Sequence, residues 1–442
     1  MAVTGRFVVL VAIGIVPVVL FGRDTDTAAI VLISWLVLAA LIGAADLLLA
    51  ASPRRVALRR ELPARVRLGE RVESTLFVTN TSSRMLRARV RDAWPPSAGA
   101  DSRRHDLTAP PGERRALTIA LTPFRRGERA VDQVTIRSFG PLGMWARQAT
   151  LPAPGRILVL PPFAARKHLP SRLARLRELD GRTSVMVRGQ GTEFDSLREY
   201  VRGDDVRSID WRATARRGDV DGSGEHLMVR TWRPERDRRV VIVIDTGRTS
   251  AARIENEPRI DTAYESALLL AALASRAGDR VDLIAFDRRV RGRVQGFTGA
   301  ELVRRSVEMM AGIEPELIET DWTAVPAQVR SITPQRALVV LLTAVQTPSS
   351  AQGLLGMLPQ LTRSHTVLIA SVSDPRVLAA AAGRGDREAV YRAAAAEQAM
   401  LDATRVAAAV RRLGAEVVTD SPALLPPALA DRYIALKAAG RL

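Results

Sequence analysis

The stretch Asp245-Thr-Gly-Arg-Thr249-Ser250 puts an acid ahead of the hydroxyls of Thr249 and Ser250, directly after five apolar residues, Val240 to Ile244. A carboxylate with hydroxyl oxygens close by is donor chemistry for a hard cation such as magnesium, which takes an octahedron of oxygen ligands. Thr320-Asp321 repeats the pairing of hydroxyl and acid, whereas Thr343, at the end of a second apolar run, is followed by Ala344. Asp204 and Asp205 stand side by side, with Asp210 close behind. Paired acids can serve general acid–base catalysis or hold a metal. These follow Arg202-Gly203, which reads as a turn, and Arg198, Arg207, Arg212 and Arg216 lie near enough along the chain to neutralise them. With Phe194, Glu199, Tyr200 and Trp211 among the charges, the stretch fits an internally paired polar network or a partner-reading surface.

Missing residue types narrow the chemistry. The chain has no cysteine, which excludes disulfides, thiolate zinc sites, cysteine nucleophiles and iron–sulfur clusters. Its four histidines, His105, His168, His226 and His365, are too far apart in sequence to suggest a ligand pair. No Gly-x-Ser-x-Gly elbow, Walker A loop, Gly-x-Gly-x-x-Gly fingerprint or His-Glu-x-x-His helix occurs.

The elements that must position these residues fall into blocks. Residues 239–442 alternate strands with helices. Val240–Ile244 and Ala337–Leu342 read as strands buried on both faces, as in the middle of a parallel sheet, with Asp245 at a carboxyl edge where such sheets place ligands. Further strands are expected at 280–286, 366–370 and 415–419, with an antiparallel edge strand at 289–295. Asp261 reads as the cap of an almost wholly apolar helix ending before Gly278. Residues 56–162 change to a period of two. Leu86, Ala88 and Val90 alternate with Arg87, Arg89 and Arg91, and turn residues separate such runs, which predicts a small antiparallel β-sandwich. Between the two blocks, 163–238 holds a linker with one arginine-rich helix, 169–179, and then the charged stretch from 189 to 216.

Residues 1–55 carry two apolar runs, about 7–22 and 28–51, joined by a short polar link. They predict a membrane-spanning helical hairpin. A cleaved signal peptide or two buried soluble helices are the other readings of these runs. Arg6 precedes the first run and Arg54, Arg55, Arg59 and Arg60 follow the second, which places both termini and the bulk of the chain in the cytoplasm. Asp46, near the inner end, is expected to snorkel or to face its partner helix. The formal charge is +18, nearly all of it arginine, since lysine occurs only at 167 and 437. No compact basic motif with interleaved aromatics appears, so this charge suits an anionic membrane surface and lipids rather than nucleic acid.

The elements Glu193-Phe-Asp-Ser-Leu-Arg-Glu-Tyr200, Gly203-Asp-Asp205 and Arg207-Ser-Ile-Asp-Trp-Arg-Ala-Thr-Ala-Arg216 resemble the domain-of-unknown-function-58 family. The order of the blocks, with Gly140-Pro-Leu-Gly143 inside the sandwich, resembles it too. The resemblance implies a von Willebrand A-like domain at 239–442 and a MoxR-type AAA+ ATPase as partner, often with a transglutaminase-like membrane protein. Carried onto this chain, the A-type metal site falls on Asp245, Thr249 and Thr320. Gly247 stands where the pattern has a hydroxyl, and Ala344 where it has an acid. The expectation is a degenerate site, at most a magnesium site. The expected function is a membrane-anchored adaptor without enzymatic activity, reading its partner through Phe194, Arg198, Glu199, Tyr200, Asp204, Asp205, Arg207, Asp210, Trp211 and Arg216. A metal-dependent hydrolase using Asp204, Asp205 or Asp210 is the alternative.

Overall fold

The structure, a computed structural model, describes residues 2–183, 193–201, 205–217, 227–233, 238–255 and 257–442. The chain divides into two compact units, Met1–Pro162 and Phe163–Leu442.

In the first unit, Asp24 accepts the Thr27 N–H at 2.8 Å and starts the helix Thr25–Leu49. Its 25 residues are long and apolar enough to cross a membrane. The first apolar run, expected to be a second span, forms two shorter helices, Gly5–Ile13 and Ile15–Phe21. Together they extend roughly 25 Å, less than a typical hydrocarbon core. They meet at Gly14, where any side chain would collide with Trp35, since an added Cβ would lie 2.2 Å from its ring.

The sandwich follows. One sheet runs Ala2–Val3, Trp145–Leu160, Gly127–Phe139, Leu86–Asp92 and His105–Ala109, with Arg65–Arg67 also on the long strand. The other runs Val56–Glu61, Val72–Asn80 and Arg114–Leu121. The period of two is a burial pattern: Leu86, Ala88 and Val90 point into the core with Leu76 and Val78 of the opposite sheet, and the arginines between them point out. The core also holds an ion pair. Arg60 donates to Asp92 Oδ2 and Oδ1 at 2.7 and 2.8 Å and to Ser74 Oγ at 3.0 Å, beneath Trp94.

Asp46 neither snorkels nor faces the partner helix. It is buried, and its carboxylate accepts the backbone N–H groups of Leu142, Met144 and Trp145 at 2.8, 2.7 and 3.2 Å. The turn joining the two long strands presents these amides in a row, which satisfies an acid that could not reach water. The same turn accepts from the Thr4 hydroxyl at Gly143 O and from Arg6 at Leu142 O.

In the second unit a six-stranded sheet runs Val290–Val294, Arg280–Phe286, Arg239–Asp245, Leu338–Leu342, Thr366–Val372, Glu416–Asp420. All neighbours are parallel except the first pair. The central strand is buried from Val240 to Asp245 because helices cover both faces. One of them, Arg259–Arg276, buries nearly every residue. Asp261 lies inside its first turn rather than capping it; the capping position is Pro258. The arginine-rich helix, Leu169–Thr183, belongs to this unit, where Arg172 and Arg175 pair with Asp431 of the final helix, Leu425–Ala438.

Candidate functional site

The sheet order places a topological switch between Arg239–Asp245 and Leu338–Leu342, and ligands of open α/β sheets bind at such a switch, beyond the carboxyl ends. Asp245 and Thr343 stand on its two sides. Asp245 is buried, and four donors share its carboxylate. The Gly247 N–H and the Thr320 hydroxyl donate to Oδ1 at 2.8 and 2.5 Å. The Thr249 and Thr343 hydroxyls donate to Oδ2 at 2.9 and 2.7 Å. Ser250 Oγ donates to the Asp245 carbonyl at 2.7 Å. Every one of these donors is electrically neutral.

A buried cationic side chain acts on Asp245. Arg259 is 4% exposed and donates to Thr249 O at 2.9 Å. Burial pushes its pKa down, against the pull of Asp374 and Asp245. Arg259, Ser250, Thr343 and Leu425 border a cavity of about 10 Å³, room for no more than a single water. On the neighbouring strand Asp287 repeats the arrangement. It is fully buried and accepts the Thr246 hydroxyl and Arg291 Nη1, each at 2.9 Å. Burial pushes its pKa up, but the hydrogen bonds from the Arg289 N–H, the Thr246 hydroxyl, the Arg288 N–H and Arg291 together outweigh burial, so it stands below the ordinary carboxylate value.

Thr249 and Thr320 therefore do meet Asp245, as the degenerate pattern supposes, but as donors to it. Gly247 is more than a missing hydroxyl. A Cβ there would lie 2.3 Å from Thr320 Oγ1, so Thr320 fills the space a side chain would need. A magnesium ion would have one carboxylate, hydroxyls already committed to that carboxylate, Ala344 in place of an acid, and a buried guanidinium beside it. This donor set does not fit magnesium. Among the described residues no group of three or more histidines and carboxylates is placed to hold a metal.

The stretch before the sheet forms a clip. Glu193–Glu199 pairs antiparallel with Met228–Arg233, and a short helix, Trp211–Arg217, follows. Asp210 accepts the N–H groups of Arg212 and Ala213, both at 3.0 Å, and Arg230 Nε at 2.7 Å. The Ala213 N–H, then Arg230, hold its carboxyl below the ordinary range. Asp205 accepts the Arg207 N–H at 3.0 Å and caps a 3₁₀ turn. The Tyr200 N–H donates to Leu227 O, and Arg198 Nη1 to Glu199 O. Asp204 lies outside the described residues, and only the backbone of Phe194 and Arg216 is described. Asp205 and Asp210 thus cap separate turns, and Asp210 also pairs with Arg230. Charged side chains are exposed here, Glu199, Asp205, Arg207, Arg212 and Arg230 among them, and so are three large apolar ones, Val201, Val206 and Trp211, at 62, 64 and 67%.

Sequence reasoning missed Asp287, Arg230 and Arg259. Asp287 had a signal, an acid directly after a buried strand, the same one that marked Asp245.

The family model described as "Protein of unknown function DUF58" matches residues 196–421, just over half of the chain. The chain belongs to the DUF58 family. The matched span takes in nearly all of the clip and all of the sheet, so both features described above are DUF58 territory in this chain. A search of curated proteins finds no match. Among solved structures, the CARDB domain of a Pyrococcus furiosus protein with di-metal ions is 15% identical, covering 24% of this DUF58 chain and 91% of that one at a TM-score of 0.18. A FixG-related protein from Vibrio parahaemolyticus is 13% identical, with 24% and 94% covered at 0.18. Proximal thread matrix protein 1 from the mussel byssus, with a zinc-occupied MIDAS motif, is 13% identical, with 46% of each chain covered at 0.26.

Proposed function

We propose that this DUF58 protein is a membrane-anchored adaptor. In this reading the two apolar runs form a two-pass hairpin, with both termini and the bulk of the chain in the cytoplasm. The second unit is a von Willebrand A-like domain that has exchanged its metal for hydrogen bonds, and its partner is a MoxR-type AAA+ ATPase.

One observation carries the reading. Within 197–217 Asp205 and Asp210 are spent on caps and on Arg230, while Trp211 is 67% exposed and Val201 and Val206 are 62 and 64% exposed. An exposed tryptophan on a small helix, with no structural duty, has the makings of an interface anchor. The hydrolase alternative draws no comparable support, because Asp205 and Asp210 are engaged and Asp210 is held ionised. The test is co-purification of the ATPase with the full-length chain from membranes. Trp211→Ala is expected to abolish it, and capture unchanged by Trp211→Ala, Arg198→Ala and Asp245→Ala together would overturn the proposal.

A further inference from the structure

A cavity of about 620 Å³ opens beside the first apolar helix, bordered by Thr4, Gly5, Arg6, Arg87, Arg89 and Asp106 among others. We infer that it binds the phosphate of an anionic phospholipid headgroup. The inference rests on the reading of the apolar helices as membrane segments.

Charge comes first. Arg89 and Asp106 form an ion pair at 2.7 Å and cancel. Arg6 and Arg87 do not pair with a carboxylate among the described residues. Each gives one hydrogen bond to the 140–145 turn, Arg6 to Leu142 O at 3.2 Å and Arg87 to Pro141 O at 3.3 Å. A guanidinium has five N–H donors in a planar fork, so most of each fork remains for a ligand. Two such forks facing one cavity suit a phosphate, whose oxygens accept bidentate arginine bonds. The turn carbonyls hold both side chains in place, which lowers the ordering cost of binding.

Position comes second. Arg6 is the second residue of the helix Gly5–Ile13, and the apolar run starts at Phe7. The cavity therefore lies where hydrocarbon gives way to headgroups. Val8 and Val9, 61 and 59% exposed, carry apolar surface away from it along the helix. A charged cavity continuous with an exposed apolar stripe fits an amphipathic ligand better than free phosphate, which has no use for the stripe.

The test uses the full chain in nanodiscs of phosphatidylglycerol mixed with phosphatidylcholine, with retained lipid read by native mass spectrometry. Retention of phosphatidylglycerol over phosphatidylcholine is expected to fall about five-fold for each arginine removed in Arg6→Gln and Arg87→Gln, and to be unchanged in Arg115→Gln on the other sheet of the sandwich. Equal retention of the two lipids by the unaltered chain, or preference unaffected by the double variant, overturns the inference. Displacement of the bound lipid by millimolar inorganic phosphate would also overturn it, since the site would then serve a soluble anion. Alkaline carbonate separates this from the membrane reading. A chain stripped from membranes by carbonate sinks both, whereas a chain that stays embedded without lipid preference sinks this inference alone.

Discussion

The Thr343 hydroxyl donates to Asp245 Oδ2 at 2.7 Å, joining the ends of two parallel strands across the switch point of the sheet. The residues are 98 apart in sequence, and the bond closes the crevice in which a ligand of such a sheet would sit. Thr343→Val removes this donor and keeps the shape. The expected loss is about 1–2 kcal/mol, read as a lower melting midpoint of the detergent-solubilised chain by tryptophan fluorescence. An unchanged midpoint would show that the bond contributes nothing.

Magnesium is expected to leave that midpoint where it is. A cation bound at a hundred times its Kd would stabilise by roughly 2.7 kcal/mol, which such a melt would register. Restoring a hydroxyl with Gly247→Ser should not create affinity, because the new Cβ meets Thr320 Oγ1. It should destabilise by about 1–3 kcal/mol through overpacking. Saturable stabilisation by magnesium in either chain would refute the account of the site.

Arg60 and Asp92 form a bidentate ion pair inside the sandwich, with side chains 3 and 1% exposed. Removing one partner strands the other charge. Arg60→Met is expected to cost about 3–5 kcal/mol, and Arg60→Met with Asp92→Leu markedly less. A double variant as unstable as the single would mean that the pair is worth more than its desolvation.

Asp46→Asn replaces a carboxylate that accepts three backbone N–H groups by an amide with one acceptor oxygen. The 140–145 turn should loosen, with a loss of about 1.5–3 kcal/mol and faster proteolysis within the turn. Protection equal to that of the unaltered chain would contradict the assigned role.

Glu416 accepts hydrogen bonds from Arg432 and Arg441, and these hold its pKa below the ordinary carboxylate value. A carboxyl with a lowered folded-state pKa gives stability that is fully present above its unfolded value and is lost as pH falls through the folded one. Hydrogen-exchange protection in the helix Leu425–Ala438, taken relative to the intrinsic rate at each pH, should therefore fall as pH drops below the usual glutamate range. Glu416→Gln should exchange faster at neutral pH and lose this pH dependence; a variant with the same acid response would point to another group.

Sequence patterns marked what is local. Val240 to Ile244 announced a central strand, and the alternation about Leu86 a two-sided sheet, because burial writes its period into neighbouring residues. Asp245 was readable as an edge acid. The family pattern brought Thr320 to it, but that the hydroxyls of Thr320 and Thr343 would both donate to its carboxylate was not readable, since that geometry exists only once the crossovers have brought distant segments together. Asp210 was legible in one role and not in the other: it does pair with an arginine, Arg230, and it also caps the helix that follows. An acid just before a short helix is a capping signal, but the surrounding arginines invited a reading as one network. Asp46 could not be read at all from its own helix, because its partners are amides of a turn some hundred residues on, and an amide leaves no mark in the sequence.

The turn at 140–145 holds Thr4 and Arg6 from one helix and Asp46 from another, at three separate points. Three fixed points that do not share a line leave no axis to pivot on. The sandwich is therefore not a weight on a tether but a stiff extension of the helices, and any tilt of the helices must appear, magnified by leverage, at the sandwich's far edge.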